Sequence, residues 1–142
     1  MTPEEFETLH DMLEKNIEEI KSTLTIRDLL ENPDYAKTFE RMRYLFYSVV
    51  TALVDMGHNI ILEKDFRDPL NRADVFISLG EHGIVMPSVV PGLKKALRAL
   101  PQMNELTPTQ VRELVSETID DVYKCLDSFV VYFELQDYDE KK

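Results

Sequence analysis

The sequence predicts an all-α fold, an antiparallel bundle of three long and two short helices around one core. Three observations lead there. Apolar residues in almost every long segment recur at steps of three and four, the period of an α-helix. The same helix-start signal appears twice, as Thr2-Pro3-Glu4-Glu5 and as Thr107-Pro108-Thr109-Gln110. No segment alternates apolar and polar side chains as a half-buried strand would. At 142 residues the chain is one domain long, and residues 1–135 are expected to form it.

The elements follow in order. Thr2 caps the first helix, Pro3 occupies a position where a missing N–H costs nothing, and Phe6, Leu9, Leu13, Ile17, Ile20 and Leu24 give it one buried face. Glu4, Glu7, Asp11, Glu14 and Glu18 form an acidic stripe on another face, to be solvated or met by a basic partner. Pro33 breaks the chain within residues 30–34. The second helix then carries a seam of Phe39, Met42, Phe46, Val49, Leu53, Met56 and Ile60, with further apolar surface at Tyr44, Leu45, Tyr47, Val50 and Val54. So wide an apolar girth predicts the central helix and leaves surface for a dimer face. Phe66-Arg67-Asp68-Pro69 is expected to end it. A short third helix over 71–82, with Ala73, Phe76, Ile77 and Leu79 inward, stops at Gly83. A fourth carries Leu93, Leu97 and Leu100 and closes before Pro101. The last helix starts at the second capping signal and buries Val111, Leu114, Val115, Thr118, Val122, Leu126, Phe129 and Phe133; its acidic tail, residues 136–142, is expected to fray.

Composition bounds the function. The net charge is -11, distributed as -6 over residues 1–33, +1 over 34–103 and -6 over 104–142. This argues against a chain whose main surface binds phosphates, but leaves the middle third able to face an anion through Lys94, Lys95 and Arg98. A single cysteine excludes an internal disulfide and a cysteine zinc cluster. The uncharged apolar stretch Tyr44 to Val54 has 11 residues, too few to span a bilayer, and no leader is evident, so a cytoplasmic chain without membrane association is expected.

Chemistry-bearing residues are sparse. His10, His58 and His82 lie far apart, and none has a second histidine three or four residues away, so no metal site and no cofactor is expected. Cys125 lies beside the buried seam of the last helix, where a thiol acts as a small apolar group. No Gly-rich loop precedes a helix to cradle phosphates.

Two stretches carry a family resemblance. Asp34-Tyr35-Ala36, Glu40-Arg41 and Asp55-Met56-Gly57-His58-Asn59-Ile60-Ile61 resemble the second helix of the HepT-like division of HEPN domain proteins. Arg67-Asp68-Pro69, Ala73-Asp74-Val75-Phe76, Leu79, Glu81 and Gly83-Ile84 are similar to the third helix of that family and its following turn. The match runs from about residue 34 to 100, and helix order extends it to about 135. The resemblance implies a HEPN-like all-α fold that pairs into a two-fold homodimer. Active members are metal-independent ribonucleases, often toxins paired with a minimal nucleotidyltransferase antitoxin. Their signature is an Arg-Asn pair, a His four to six residues after the Arg, and often a Tyr two residues beyond. Arg can hold a phosphate, and His can take the proton of an attacking 2'-hydroxyl.

This chain departs from that signature. Asn104 fits, but Met103 holds the Arg position, Pro108 the His position and Gln110 the Tyr position, and no histidine follows His82. Methionine and proline offer neither charge nor a titratable proton. The expectation is therefore a catalytically degenerate HepT-like protein, with no catalytic residue, acting as a dimeric binding or regulatory module. A second copy of the chain and a nucleotidyltransferase-like protein are the implied partners, with RNA a weaker one; Lys94, Lys95, Arg98 and Asn104 are the candidate anion or nucleic-acid contacts. The alternative is a ribonuclease toxin with a relocated site built from Arg98, Asn104 and a carboxylate such as Glu105. A guanidinium and an imidazole sharing one cleft would overturn the loss of reactive groups and favour that alternative.

Overall fold

The computed structural model describes residues 1–140, with side chains through Leu135; the tail at 136–142, where fraying is expected, lies outside the residues so described. Five helices follow one another: α1 (Pro3–Leu24), α2 (Ala36–Glu63), α3 (Arg72–Glu81), α4 (Val90–Ala99) and α5 (Pro108–Glu140), with single 3-10 turns at Pro33–Tyr35, Pro87–Val89 and Leu100–Gln102. Among the described residues there is no strand. The three long helices α1, α2 and α5 and the two short ones α3 and α4 are those the periodicity predicts.

Helix α2 is central. Its whole seam is buried, and so are Leu45, Val50 and Val54, so the fold itself consumes most of the apolar surplus that the sequence leaves for a dimer. Tyr44 and Tyr47 stay 67% and 45% exposed. The segment Pro33–Glu63 is long and apolar enough to cross a membrane by composition, but 56% of its most apolar window is buried inside the bundle. Helix α5 buries every residue expected of it and adds Ile119, Cys125 and Tyr132. Its Arg112 donates to the carbonyls of Leu24 (3.2 Å) and Ile26 (3.1 Å), supplying partners to the open C-terminal end of α1.

The ends of the helices have identifiable causes. At the start of α1, Glu5 N–H donates to Thr2 Oγ1 at 3.1 Å and Thr2 N–H donates to Glu5 Oε2 at 3.3 Å, a closed capping box. Helix α3 ends in a Schellman turn, in which Ile84 N–H donates to Leu79 O and Gly83, at φ 71°, donates to Gly80 O. Helix α2 ends earlier than the Phe66–Pro69 run suggests, because the same turn forms three residues sooner. Phe66 N–H donates to Ile61 O and Asp65 N–H to Leu62 O, with Asp65 held in the left-handed region at φ 54°. Near residue 92 the α4 backbone meets α5 so closely that a Cβ on Gly92 would collide with the Asp121 carboxylate.

One ion pair, between the buried Asp74 and the partly exposed Arg67, organises the link between α2 and α3. Asp74, 6% exposed, accepts from Arg67 at 2.5 and 3.0 Å and from the Leu70 N–H at 2.8 Å, while Asn71 Oδ1 caps α3 by accepting from the Asp74 N–H at 2.9 Å. The Arg67 guanidinium and the Leu70 N–H hold the Asp74 carboxyl well below the usual carboxylate range, down to about 2.

Two stability measurements follow from these ends and this pair. Asp74→Ala leaves the Leu70 N–H without its acceptor and Arg67 with only the more distant Glu81 carboxylate, at 3.6 Å, and should lower the unfolding free energy by about 1–3 kcal/mol at neutral pH. Because folding lowers this pKa, the contribution is present above the ordinary carboxylate value and disappears as pH falls from about 4 towards 2. The difference between wild type and variant in urea titrations should shrink over that window; a constant difference would show that the pair does not titrate with folding. Asp65→Gly relieves the left-handed residue and should stabilise by about 1 kcal/mol in thermal melts.

Candidate functional site

The water-facing strip of α2 runs through Glu40, Tyr44, Tyr47, Asp55 and His58 at helical spacing. It forms one wall of a surface groove about 27 Å long, at 1.5 Å per residue. The opposite wall comes from the start of α3, the end of α4 and the turn after it. Three pockets divide the groove, and neighbouring ones share residues, so they form one continuous surface.

The first pocket, about 340 Å³, is lined by Arg43, Tyr44, Tyr47, Met103 and Asn104, with Glu40 at its edge. Arg43 lies over the Phe39 ring at 5.3 Å and places one guanidinium nitrogen 3.4 Å from Glu40; its Nε is buried with no hydrogen-bond partner among the described residues. The middle pocket, about 450 Å³, is lined by Tyr47, Asn71, Arg72 and Arg98 over Leu97, Leu100 and Pro101, with no acidic residue. The third, about 230 Å³, brings His58, Asp55 and Arg72 together against Pro69, Val54 and Val75. Asp55 lies 4.0 Å from Arg72.

The candidate contacts read from the sequence are divided by the structure. Arg98 lines the middle pocket and Asn104 the first. Lys95 is turned away and pairs with Glu117 on α5, and Lys94 is half-buried and lines neither pocket. Glu105, nominated beside Arg98 and Asn104, is exposed and lines neither pocket. Arg43 and Arg72 are additions that the sequence did not single out, since each reaches the groove only through tertiary packing. Tyr47 and His58 carried a local signal: both are polar-tipped residues on one strip of an otherwise apolar helix.

The entry to α5, where the resemblance puts reactive groups, is built as a helix start. Thr107 N–H donates to Gln110 Oε1 at 2.9 Å, Gln110 N–H donates to Thr107 Oγ1 at 3.2 Å, and Pro108 is the first helical residue. Met103 points into the core, 2% exposed.

Other reactive candidates are occupied. His10 lies 3.2 Å from Glu14 and 3.3 Å from Asp11, and His82 stacks on Phe66 with ring centroids 3.6 Å apart. Cys125 is wholly buried, and burial pushes its thiol up, away from the reactive thiolate. Among the described residues no three His, Cys, Asp or Glu side chains gather where they could hold a metal ion.

No protein-family model matches the chain, and no curated protein matches it.

The burial of Met103 gives a direct check on the α5 entry. Met103→Arg, which rewrites the Arg-Asn pair of the signature, should destabilise the fold by at least roughly 2 kcal/mol in chemical denaturation, because it forces a guanidinium into an apolar site. A variant as stable as wild type would show that this position can still present a charged group to the groove.

Proposed function

We propose that this chain is a HepT-like HEPN protein that has lost its nuclease chemistry and acts by binding, as a homodimer and with a nucleotidyltransferase-like protein partner. The observation that carries this function is the entry to α5. A capping box and a buried methionine occupy the positions at which the resemblance calls for a cation and a proton acceptor. A helix start there costs the fold nothing, whereas restoring the Arg would cost it stability.

Binding is supported at the α2–α4 groove, whose middle pocket carries two arginines, an asparagine and a tyrosine without an opposing carboxylate. Dimerisation is supported by large apolar side chains left exposed outside the groove, Leu62 on α2 and Val131 and Leu135 on α5.

A second function is favoured by one observation, the pocket that His58 and Arg72 share. This is a guanidinium and an imidazole in one cleft, and it supports phosphodiester cleavage from a relocated site on different residues from those first nominated. Asp55 in the same lining works against it, because a carboxylate paired with Arg72 opposes a bound phosphate.

Two measurements separate these functions. Purified protein should leave single-stranded RNA intact with and without chelator, and light scattering at micromolar concentration should give twice the 16.6 kDa chain mass. Cleavage abolished by His58→Ala or Arg72→Ala would replace the binding function with the relocated nuclease. A monomeric mass would remove the dimer.

A further inference from the structure

We propose that the middle pocket of the groove is a subsite for a phosphomonoester attached to a planar or apolar group. This rests on treating the groove as a binding surface, but it requires neither dimerisation nor the loss of cleavage.

Charge is the first reason. Four further pockets each have a carboxylate in their lining: Glu7 and Glu134 between α1 and α5, Asp127 beside the turn before α4, Glu40 at one end of the groove and Asp55 at the other. The middle pocket has none, in a molecule with a net charge of -11. A dianion is therefore repelled by most of the surface and drawn to this part of it.

Donor geometry is the second. Arg72 comes from the start of α3 and Arg98 from the end of α4, and both line this one pocket, so each can bring a planar guanidinium fork to it. Each matches the oxygen spacing of a phosphate. Asp55, 4.0 Å from Arg72, weakens its pull on a phosphate without occupying its donors, since that separation is longer than a hydrogen bond. Asn71 spends its Oδ1 on capping α3, which leaves its side-chain NH₂ as a donor.

Shape is the third. Tyr47 is 45% exposed and, with Leu97, Leu100 and Pro101, offers an aromatic and apolar surface beside the arginines. A volume of about 450 Å³ lies within the range of small-molecule sites.

The test is a calorimetric and NMR titration of the full chain at low salt with three probes: inorganic phosphate, phenyl phosphate and benzyl alcohol. Phenyl phosphate should bind most tightly, inorganic phosphate more weakly and benzyl alcohol not at all. Arg72→Ala and Arg98→Ala should each weaken phenyl phosphate about tenfold. Tyr47→Ala should weaken phenyl phosphate and spare inorganic phosphate, and Lys124→Ala, a cation in a different pocket, should change neither. Circular dichroism of each variant checks its fold, and Arg98→Lys, which keeps charge but not the fork, should fall between wild type and Arg98→Ala.

Absence of saturable phenyl phosphate binding would overturn the subsite. So would binding indifferent to both arginines, or an equal loss in Lys124→Ala. Failure here with RNA left intact and the dimer mass observed would refute the subsite alone, whereas RNA cleavage would refute the lost-nuclease function and leave this titration standing.

Discussion

Helix α2 has water on only one narrow strip, and the rest of the molecule is arranged around that constraint. Its core-facing seam and most of its flanking apolar residues are covered by α1, α3, α4 and α5. Burial of so much apolar area is the dominant favourable term in the fold. It also limits where α2 can serve any other purpose. Within the groove, what this helix offers to a ligand comes from Glu40, Arg43, Tyr44, Tyr47, Asp55 and His58.

The same economy governs the start of α5. A 33-residue helix needs a defined beginning, and its first N–H groups need partners. Thr107 and Gln110 supply them reciprocally, and Pro108 sets the first helical φ. Met103, a few residues earlier, anchors the preceding turn in the core. These tasks are structural, and each excludes the chemical role that an Arg, His or Tyr would have at the same position.

Much of the fold was legible in the sequence, because local rules decide it. Thr2-Pro3-Glu4-Glu5 and Thr107-Pro108-Thr109-Gln110 announce helix starts that the hydrogen bonds reproduce, and Gly83 marks the end of α3. The end of α2 was less legible. An aspartate in the left-handed position, Asp65, does the work usually given to glycine, and no residue-type rule flags it. Asp74 was missed as a buried charge, since nothing short of tertiary proximity reveals that Arg67, seven residues earlier, folds back to meet it. The groove was half legible for the same reason. Lys94, Lys95 and Arg98 look like one basic cluster along the chain, yet the helical turn sends Lys95 to Glu117 and Arg98 to the groove. Arg72 joins Arg98 from another helix, a pairing that sequence separation hides.

The close approach of Gly92 to Asp121 and the Lys95–Glu117 pair both fasten α4 to α5. Leu93, Ala96 and Leu97 are buried as well, so α4 is packed into the core rather than lying on it as a flap. The groove therefore cannot widen by a swing of α4 alone, because any outward movement must carry α5 with it or separate the two. Opening the groove would also strip cover from Leu93, Ala96 and Leu97, so the space between Arg72 and Arg98 suits a ligand that fits it without moving the helix.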